Sequence, residues 1–519
     1  MKRAFLVVTL LACGVAAAQT PPDLILFNGR VFGPNSPKEF AQAIAITGGR
    51  ITAVGTNEEV LAQAHGTRRI DAGGRLVIPG INDAHVHFEI FPPGFIVSSN
   101  PDSTFAEVTA AIASAIDETP AGVFIFGTIG PAVLLDPNAT KAALDAVAPG
   151  RRVMLTEFTG HGAILSTAAL AALGASAPSN PLGGSFERDA SGALTGKVFE
   201  YAQYGLQRKL ADTTSDTDNI DSLRSLSDEA LGFGITTLQV MPTMAALKFE
   251  SIVERARPRV RVRIMRIPIT DQTNLNAGDN RGGKIRAVKW ILDGTPVERG
   301  AALRQTYANS VLSGKLNFTE QEIRAMLTDA VAHGEQPLLH ASGDRTVAAV
   351  LKVMIVMQLA DWPARRLRIE HGDGMQRDLT RDAVALGVTV VQNPSHFPFR
   401  KLFPPGDYML LKTLLDRGIH VALGSDGPLN PFLNIQLAVT HPQVPAEKLT
   451  VNEALIAYTA GSAFAEKVDD KGTIAPGQLA DIAVLSDNLF KTKPEDMPDI
   501  RSVLTIVNGK IVFDAGVLP

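Results

Sequence analysis

The chain has 519 residues, 45% hydrophobic and 20% charged, with a formal net charge of −4 at pH 7. That balance excludes a polybasic nucleic-acid binder and an acidic solvating tail, and it supplies apolar residues enough for a large core. The length exceeds one ordinary domain but suits a barrel carrying insertions.

The chain opens on "MKRAFLVVTLLACGVAAAQT", with Lys2 and Arg3, a short apolar run, then small residues before Gln19. This is the pattern of a secretory signal over residues 1–18, cleaved near Ala18, and it predicts a periplasmic or extracellular protein. "LLAC" loosely resembles a lipobox, so a lipid anchor through Cys13 is the minor alternative. Cys13 is the only cysteine. The mature chain therefore offers no disulfide, no thiol nucleophile and no cysteine-type zinc site. No later segment is apolar over a length that would span a bilayer.

Residues 19–78 consist of short strand-like runs with tight turns. Asn28-Gly29 in "DLILFNGRVF" and Gly48-Gly49 in "AIAITGGRITAVG" each predict a β-hairpin. Residues 468–519 repeat the style, with Asn508-Gly509 in "LTIVNGKIVFDAG". Both ends together predict one small β-domain. Between them, residues 79–467 alternate. Thr319 and Glu322 form a capping-box spacing before a helix that stops at Gly334. The strand "QPLLHASGD" follows, then a helix over 344–358, the strand "RLRIEHGD", the helix "RDAVALG", the strand "VTVVQNPSH", the helix "YMLLKTLLDRG" and the strand "HVALGSDGP". A further helix starts near Thr450 and Glu453. Such alternation predicts βαβ units and a parallel sheet, so the fold class is α/β. A (β/α)8 TIM-like barrel is the leading expectation, and a doubly wound sheet is the alternative. Residues near 100–240 combine helices with Gly/Ser/Pro-rich loops and are expected to be an insertion into the barrel.

Polar residues recur at the strand ends. His85 and His87 sit in "INDAHVHFEI", one residue apart, and in a strand they share one face. A metal ion explains such a pair, and so do two core histidines bonded to backbone. Lys289 lies in "IRAVKWILDGT", His340 ends "QPLLH", His371 ends "LRIEH" and Asp426 ends "HVALGSD". In a barrel these positions converge on the C-terminal face, where active sites form. Four histidines, a lysine and an aspartate at successive strand ends are hard to explain as packing. Lys289 alone admits two readings. It snorkels to keep its ammonium in water, or its amine reacts with carbon dioxide to give an anionic carbamate that bridges two metals.

The motifs "PGINDAHVHF", "VKWILDGT", "HASGDRTV", "RIEHGD", "VALGSDGPLNP" and "KGTIAPGQLADIAVLS" resemble, in order and over essentially the whole mature chain, the amidohydrolase superfamily. The branch they resemble is the YtcJ-like group, which includes N-substituted formamide deformylases. "TGHGAILSTAAL" with His161 and "GALTGKVFE" with Glu200 resemble that branch's insertion motifs. The resemblance implies a (β/α)8 barrel and a β-sandwich from both termini. It implies metal binding by His85, His87, a carboxylated Lys289, His340, His371 and Asp426. Asn82 departs from the family, which usually has an aliphatic residue there; no ligand is lost.

Imidazoles and carboxylates suit zinc, which lowers the pKa of bound water to about 7. Up to two divalent ions per chain, zinc first, are expected. Asp426 would act as general base and then acid, or it is a plain turn residue. His161 would orient a substrate carbonyl, or it makes a loop hydrogen bond. Asp344 and Arg345 are expected to brace the loop by a salt bridge, with contact to substrate as the alternative. His396 lines the pocket or is exposed, and Phe397, Phe399 and Phe403 form an apolar wall or an ordinary packed loop. The expected function is hydrolysis of a non-peptide, amide-type C–N bond in a small molecule. The alternatives are a lactone or other ester on the same scaffold, a mononuclear deaminase, and a non-catalytic binding barrel. No nucleic-acid partner is expected, and homo-oligomerisation is left open.

Overall fold

The structure is a computed structural model that describes residues 21–33, 36–278 and 281–519. The expected signal, its cleavage point and Cys13 lie outside the described residues. Among the described residues no helix is long and apolar enough to cross a membrane.

Eight parallel strands carry the centre of the molecule. They are β1 (Ile81–Phe88), β2 (Ile235–Pro242), β3 (Arg261–Ile264), β4 (Ala287–Ile291), β5 (Gln336–Ala341), β6 (Arg368–His371), β7 (Thr389–Gln392) and β8 (His420–Leu423). Pairing runs β1-β2-β3 in one sheet and β4 through β8 in the other. A parallel bridge between Arg266 and Val288 links the end of β3 to β4. Past β8, the backbone N–H of Asp426 donates to the His85 carbonyl of β1 at 3.0 Å. β2, β4 and β5 are buried along their whole length. Strands covered on both faces become near-continuous apolar runs, broken in "AVKWI" by Lys289 and in "QPLLHA" by Gln336 and His340. This mixed α/β content fits a TIM-barrel type of fold.

The helices between strands begin where the sequence signals them. Thr319 accepts from the Glu322 N–H and Glu322 reaches back to the Thr319 backbone, opening Glu320–Ala332. The same box opens Phe105–Ala115 at Thr104 and Val451–Ile456 at Thr450. Each such box satisfies donors that the first helical turn otherwise leaves unpaired.

The two ends of the chain share a sheet. Arg30–Val31 and Leu76–Pro79 stand beside Ile482–Leu485, Ser502–Val507 and Lys510–Asp514. A second sheet holds Leu24–Phe27, Ala43–Thr47, Arg50–Gly55 and Arg68–Asp71. Leu26, Ile44 and Val77 pack with Ile482, Val484 and Leu504 in one buried cluster. Gly48-Gly49 and Asn508-Gly509 make the expected hairpins. Asn28-Gly29 does not. Leu24–Phe27 pairs with Ala43–Thr47, while Arg30–Val31 crosses to Leu76–Pro79 in the other sheet. The turn hands the chain between sheets, and a Cβ at Gly29 would lie 2.8 Å from Val77.

The middle segment also differs from the expected helices and loops. It contains a six-stranded sheet formed by Phe95–Ile96, Phe124–Ile129, Arg152–Glu157, Gly162–Leu165, Gly184–Arg188 and Leu194–Glu200. Its strands are short apolar runs such as "FIFGTI" and "GAIL", whose periodicity does not separate strand from buried helix. β2 lies inside the stretch expected to be insertion, and it pairs in parallel with β1. After β7 the chain turns into a 3-10 helix, Pro394–Leu402, and "YMLLKTLLDRG" is helical only over Lys412–Asp416.

Candidate active site

His87, Lys289, His340, His371 and Asp426 line one cavity of about 620 Å³, and His85 is buried beside Lys289 without lining it. β1 supplies His85 and His87, β4 Lys289, β5 His340, β6 His371, and the turn after β8 supplies Asp426. Asp426 is the hub. Its carboxylate lies 3.6 Å from His85 Nε2, 3.5 Å from His87 Nε2 and 3.7 Å from His371 Nδ1. Lys289 Nζ is 3.0 Å from His85 Nε2. The rings of His340 and His371 are 4.4 Å apart between centres. The backbone is held in unusual conformations to achieve this. His371 and Asp426 have φ of 66° and 37°, in the left-handed region that non-glycine residues rarely adopt. Gly424 lets the end of β8 approach β1, since a Cβ there would lie 2.5 Å from the Cβ of His85.

A buried polar layer fixes the histidines. Glu370 accepts from His85 Nδ1 at 2.6 Å and from Arg368 Nε and Nη2 at 2.8 and 2.9 Å. With Nδ1 engaged, the Nε2 lone pair of His85 turns toward Asp426. Arg368 also donates to the Ala84 carbonyl at 2.7 Å and to Gln239, whose amide donates to Asn82 at 3.1 Å. Asn82 donates in turn to Glu466 at 2.9 Å. The family departure at Asn82 thus belongs to this layer and leaves the ligands alone. Asn393 bonds His371 Nδ1 at 2.9 Å, and the Gly294 carbonyl lies 3.4 Å from His340 Nε2.

Burial keeps His85, His340 and His371 well below the ordinary imidazole pKa, so they present neutral rings with free lone pairs. Burial also lowers Lys289, to about 8, against the opposing pull of Asp426 and Glu370. For Asp426, burial works to raise the pKa, but His85, His87, His396 and Lys289 around it outweigh that and hold it below the usual carboxylate range.

This donor set fits a divalent metal. His85, His87 and Asp426 offer ligand atoms within 4.8 Å of one another, and so do His371, His396 and Asp426. Neutral imidazoles with one ionised carboxylate are the ligands that zinc-type ions take.

The model of the family described as "Amidohydrolase family" matches residues 68–513. This protein belongs to the amidohydrolase family. It is 26% identical to the N-substituted formamide deformylase of Arthrobacter pascens, across 95% of this chain and 98% of the relative. It is 25% identical to YtcJ of Bacillus subtilis (strain 168), across 91% of this chain and 96% of that one. A solved metal-dependent hydrolase from Pyrococcus furiosus superposes with a TM-score of 0.66 at 23% identity, covering 90% of this chain and all of that one, 100%.

A second polar cluster of this amidohydrolase faces the same cavity. His161 Nδ1 lies 3.1 Å from both Glu200 oxygens and 3.1 Å from the Tyr204 hydroxyl. Its ring centre is 4.9 Å from that of His340. Burial works against a charged His161, but Glu200, with Glu298 and Glu157 behind it, raises the pKa to about 9. Glu200 ends its strand with φ 51° and ψ −126° and begins the helix Tyr201–Asp212. His161, Glu200 and Glu298 also offer ligand atoms within 4.8 Å of one another.

His396 lines the cavity rather than facing bulk solvent, and its Nε2 donates to the Asp426 carbonyl at 3.1 Å. Phe399 lines the cavity; Phe397 and Phe403 are buried, stacked on His441 and Tyr408. Asp344 accepts from the Arg304 N–H at 3.0 Å and Arg345 donates to the Gly314 carbonyl at 2.8 Å, so both brace loops but not each other. Glu370 and Asn393 lie within quoted stretches, "RIEHGD" and "VTVVQNPSH", but are not singled out there, and neither are Glu298 and Tyr204.

Glu370 yields a stability prediction. Glu370→Ala removes the counter-charge of a fully buried Arg368 and frees His85. Leaving one half of such a pair unpaired costs about 3–5 kcal/mol. Urea unfolding should show a loss of this size, and loss of less than about 1 kcal/mol would contradict the pairing.

Proposed function

We propose that the protein is an exported, metal-dependent hydrolase that cleaves a non-peptide amide C–N bond in a small molecule. The convergence of His85, His87 and Asp426 on one cavity, with Lys289, His340 and His371 around them, is the observation that carries this reading. The Arg266–Val288 bridge and the Asp426–His85 backbone bond support closure of the eight strands into one barrel. The apolar cluster shared by the two terminal sheets supports a β-sandwich.

In this proposal His85, His87, Lys289 as its carbamate, His340, His371 and Asp426 hold up to two divalent ions, zinc first. When bound, such an ion polarises the scissile carbonyl and makes water nucleophilic at neutral pH. The chain's own groups handle the protons. Asp426, held ionised, takes the proton of the attacking water and delivers it to the leaving nitrogen. His161, braced by Glu200 and Tyr204, orients the substrate carbonyl from beside His340. The apolar side chains of Phe399, Ile291 and Val297 line the same cavity and exclude water from the reacting centre. The formamide deformylase among the relatives supports an amide with a small acyl group.

The test is a hydrolysis screen of the metal-loaded protein over N-formyl, N-acyl and cyclic amides. Release of the amine from at least one class is expected. Turnover of lactones alone would replace the C–N assignment with ester hydrolysis.

A further inference from the structure

The stretch "NPSH", residues 393–396, follows β7, and no step of the proposed chemistry uses it. Each of its polar side chains reaches across to the turn after β8. Asn393 donates from Nδ2 to the Gly424 carbonyl at 3.0 Å, Ser395 from Oγ to the Ser425 carbonyl at 2.9 Å, and His396 from Nε2 to the Asp426 carbonyl at 3.1 Å. Three consecutive carbonyls thus meet three side chains of one short segment. The N–H groups of the same turn are paired elsewhere. Gly424 donates to the Gln392 carbonyl at 3.1 Å, Ser425 to the Asp83 carboxylate at 2.9 Å and Asp426 to the His85 carbonyl at 3.0 Å. The main chain that carries Asp426 is therefore bonded at every donor and acceptor, although it lies past the end of β8.

These bonds fix proton positions. A carbonyl only accepts, so His396 carries a proton on Nε2, and that nitrogen keeps no lone pair for an ion. The same nitrogen is 3.7 Å from the Asp426 carboxylate, beyond hydrogen-bond reach. It holds the main chain and leaves the carboxylate free. Asn393 turns its Nδ2 to Gly424, so its Oδ1 accepts from His371 Nδ1 at 2.9 Å. The lone pair of His371 then lies on Nε2.

The turn needs such support. Asp426 has φ 37°, and a non-glycine residue keeps a conformation of that kind only where its surroundings over-determine it. The segment that supplies the support is itself anchored. The Ser395 N–H donates at 2.9 Å to the buried Asn434 of the helix Pro431–Thr440. The His396 ring centre lies 5.6 Å from that of His371 and 6.3 Å from that of Phe399.

We infer that Asn393, Ser395 and His396 are positioning residues that clamp the Gly424–Asp426 main chain and so keep the Asp426 carboxylate among His85, His87 and His371. His396 is the member bonded to Asp426 itself. This deepens the proposed function and rests on its assignment of the proton path to Asp426. The three side chains act through Asp426 and not on the ion or the substrate.

The experiment takes the zinc-loaded wild type, His396→Phe, His396→Gln and Ser395→Ala. Phe keeps a ring and removes the donor, and Gln brings an amide N–H to a similar reach. Amide deuterium exchange is read in the peptide that contains Gly424–Asp426. It should be about tenfold faster in His396→Phe, the scale of one lost hydrogen bond, and close to wild type in His396→Gln. On the best amide of the hydrolysis screen, kcat should fall by about 10- to 100-fold in His396→Phe with KM changed by less than about twofold, as for a reacting group displaced by about 1 Å. His396→Gln should recover most of that loss. Should His396→Phe fail to fold, Ser395→Ala carries the same readouts, with exchange faster by about threefold. Exchange equal to wild type in His396→Phe, or a Gln variant that exchanges as fast as Phe, overturns the clamp. Faster exchange with kcat unchanged overturns the positioning role. Zinc lost from both His396 variants would make His396 a ligand and overturns the inference as well. If no amide is turned over, the hydrolase proposal fails by itself and the exchange rates alone decide the clamp.

Discussion

Asp426→Asn is expected to lower kcat by about 10³-fold or more, the scale of losing a general base together with a charge in the site. Asn keeps the shape of the side chain but cannot take a proton, and its amide is a poor substitute for an anionic ligand. Asp426 stands where the effect should be greatest, with its carboxylate 3.5 Å from His87, 3.6 Å from His85 and 3.7 Å from His371 and His396. Those neighbours hold it ionised, so the proton-accepting form is the one present at neutral pH. The measurement is kcat on the best amide of the hydrolysis screen, with metal content determined on the same sample. A fall of less than about tenfold would remove Asp426 from the proton path.

Lys289→Ala is expected to abolish binding of the second ion and to lower the rate by about 10²-fold or more, the cost of losing a metal-orienting group. The sequence leaves two readings of this lysine, a snorkelling ammonium and a carbamate. Lys289 is 2% exposed and its Nζ lies 3.0 Å from His85 Nε2, and the proposed function takes the second reading. An ordinary lysine, with a pKa of about 10.4, has little neutral amine at neutral pH to react with carbon dioxide. Burial brings Lys289 to about 8, so a much larger fraction is free to react. Metal content and rate of Lys289→Ala should be measured with and without concentrated acetate or propionate, which fit the vacated space and supply the missing oxygens. Partial rescue is the expected signature. Metal content and rate equal to the wild type would refute the bridging role and leave His85, His87 and Asp426 as a one-metal site.

The strand-end residues were legible in the sequence because each sits at a fixed place in a short apolar run. His371 ends "LRIEH" and Asp426 follows "HVALGS", and those local patterns survive folding unchanged. The residues that brace them were not legible. Glu370 meets His85 across 285 positions of sequence, and no local pattern encodes that contact. The six-stranded sheet was missed because "FIFGTI" and "GAIL" are too short for periodicity to decide between strand and buried helix. Asn28-Gly29 was a correct turn with the wrong consequence, since a turn's residues fix its shape and not which sheet the next strand joins.

In the proposed function the protein hydrolyses a C–N bond only with metal in this site. The most direct measurement is amide turnover by protein stripped of divalent ions with a chelator, dialysed, and resupplied with zinc, with ion content determined at each step. Activity should disappear with the ions and return as up to two per chain are restored. Full turnover by protein free of divalent ions would contradict it.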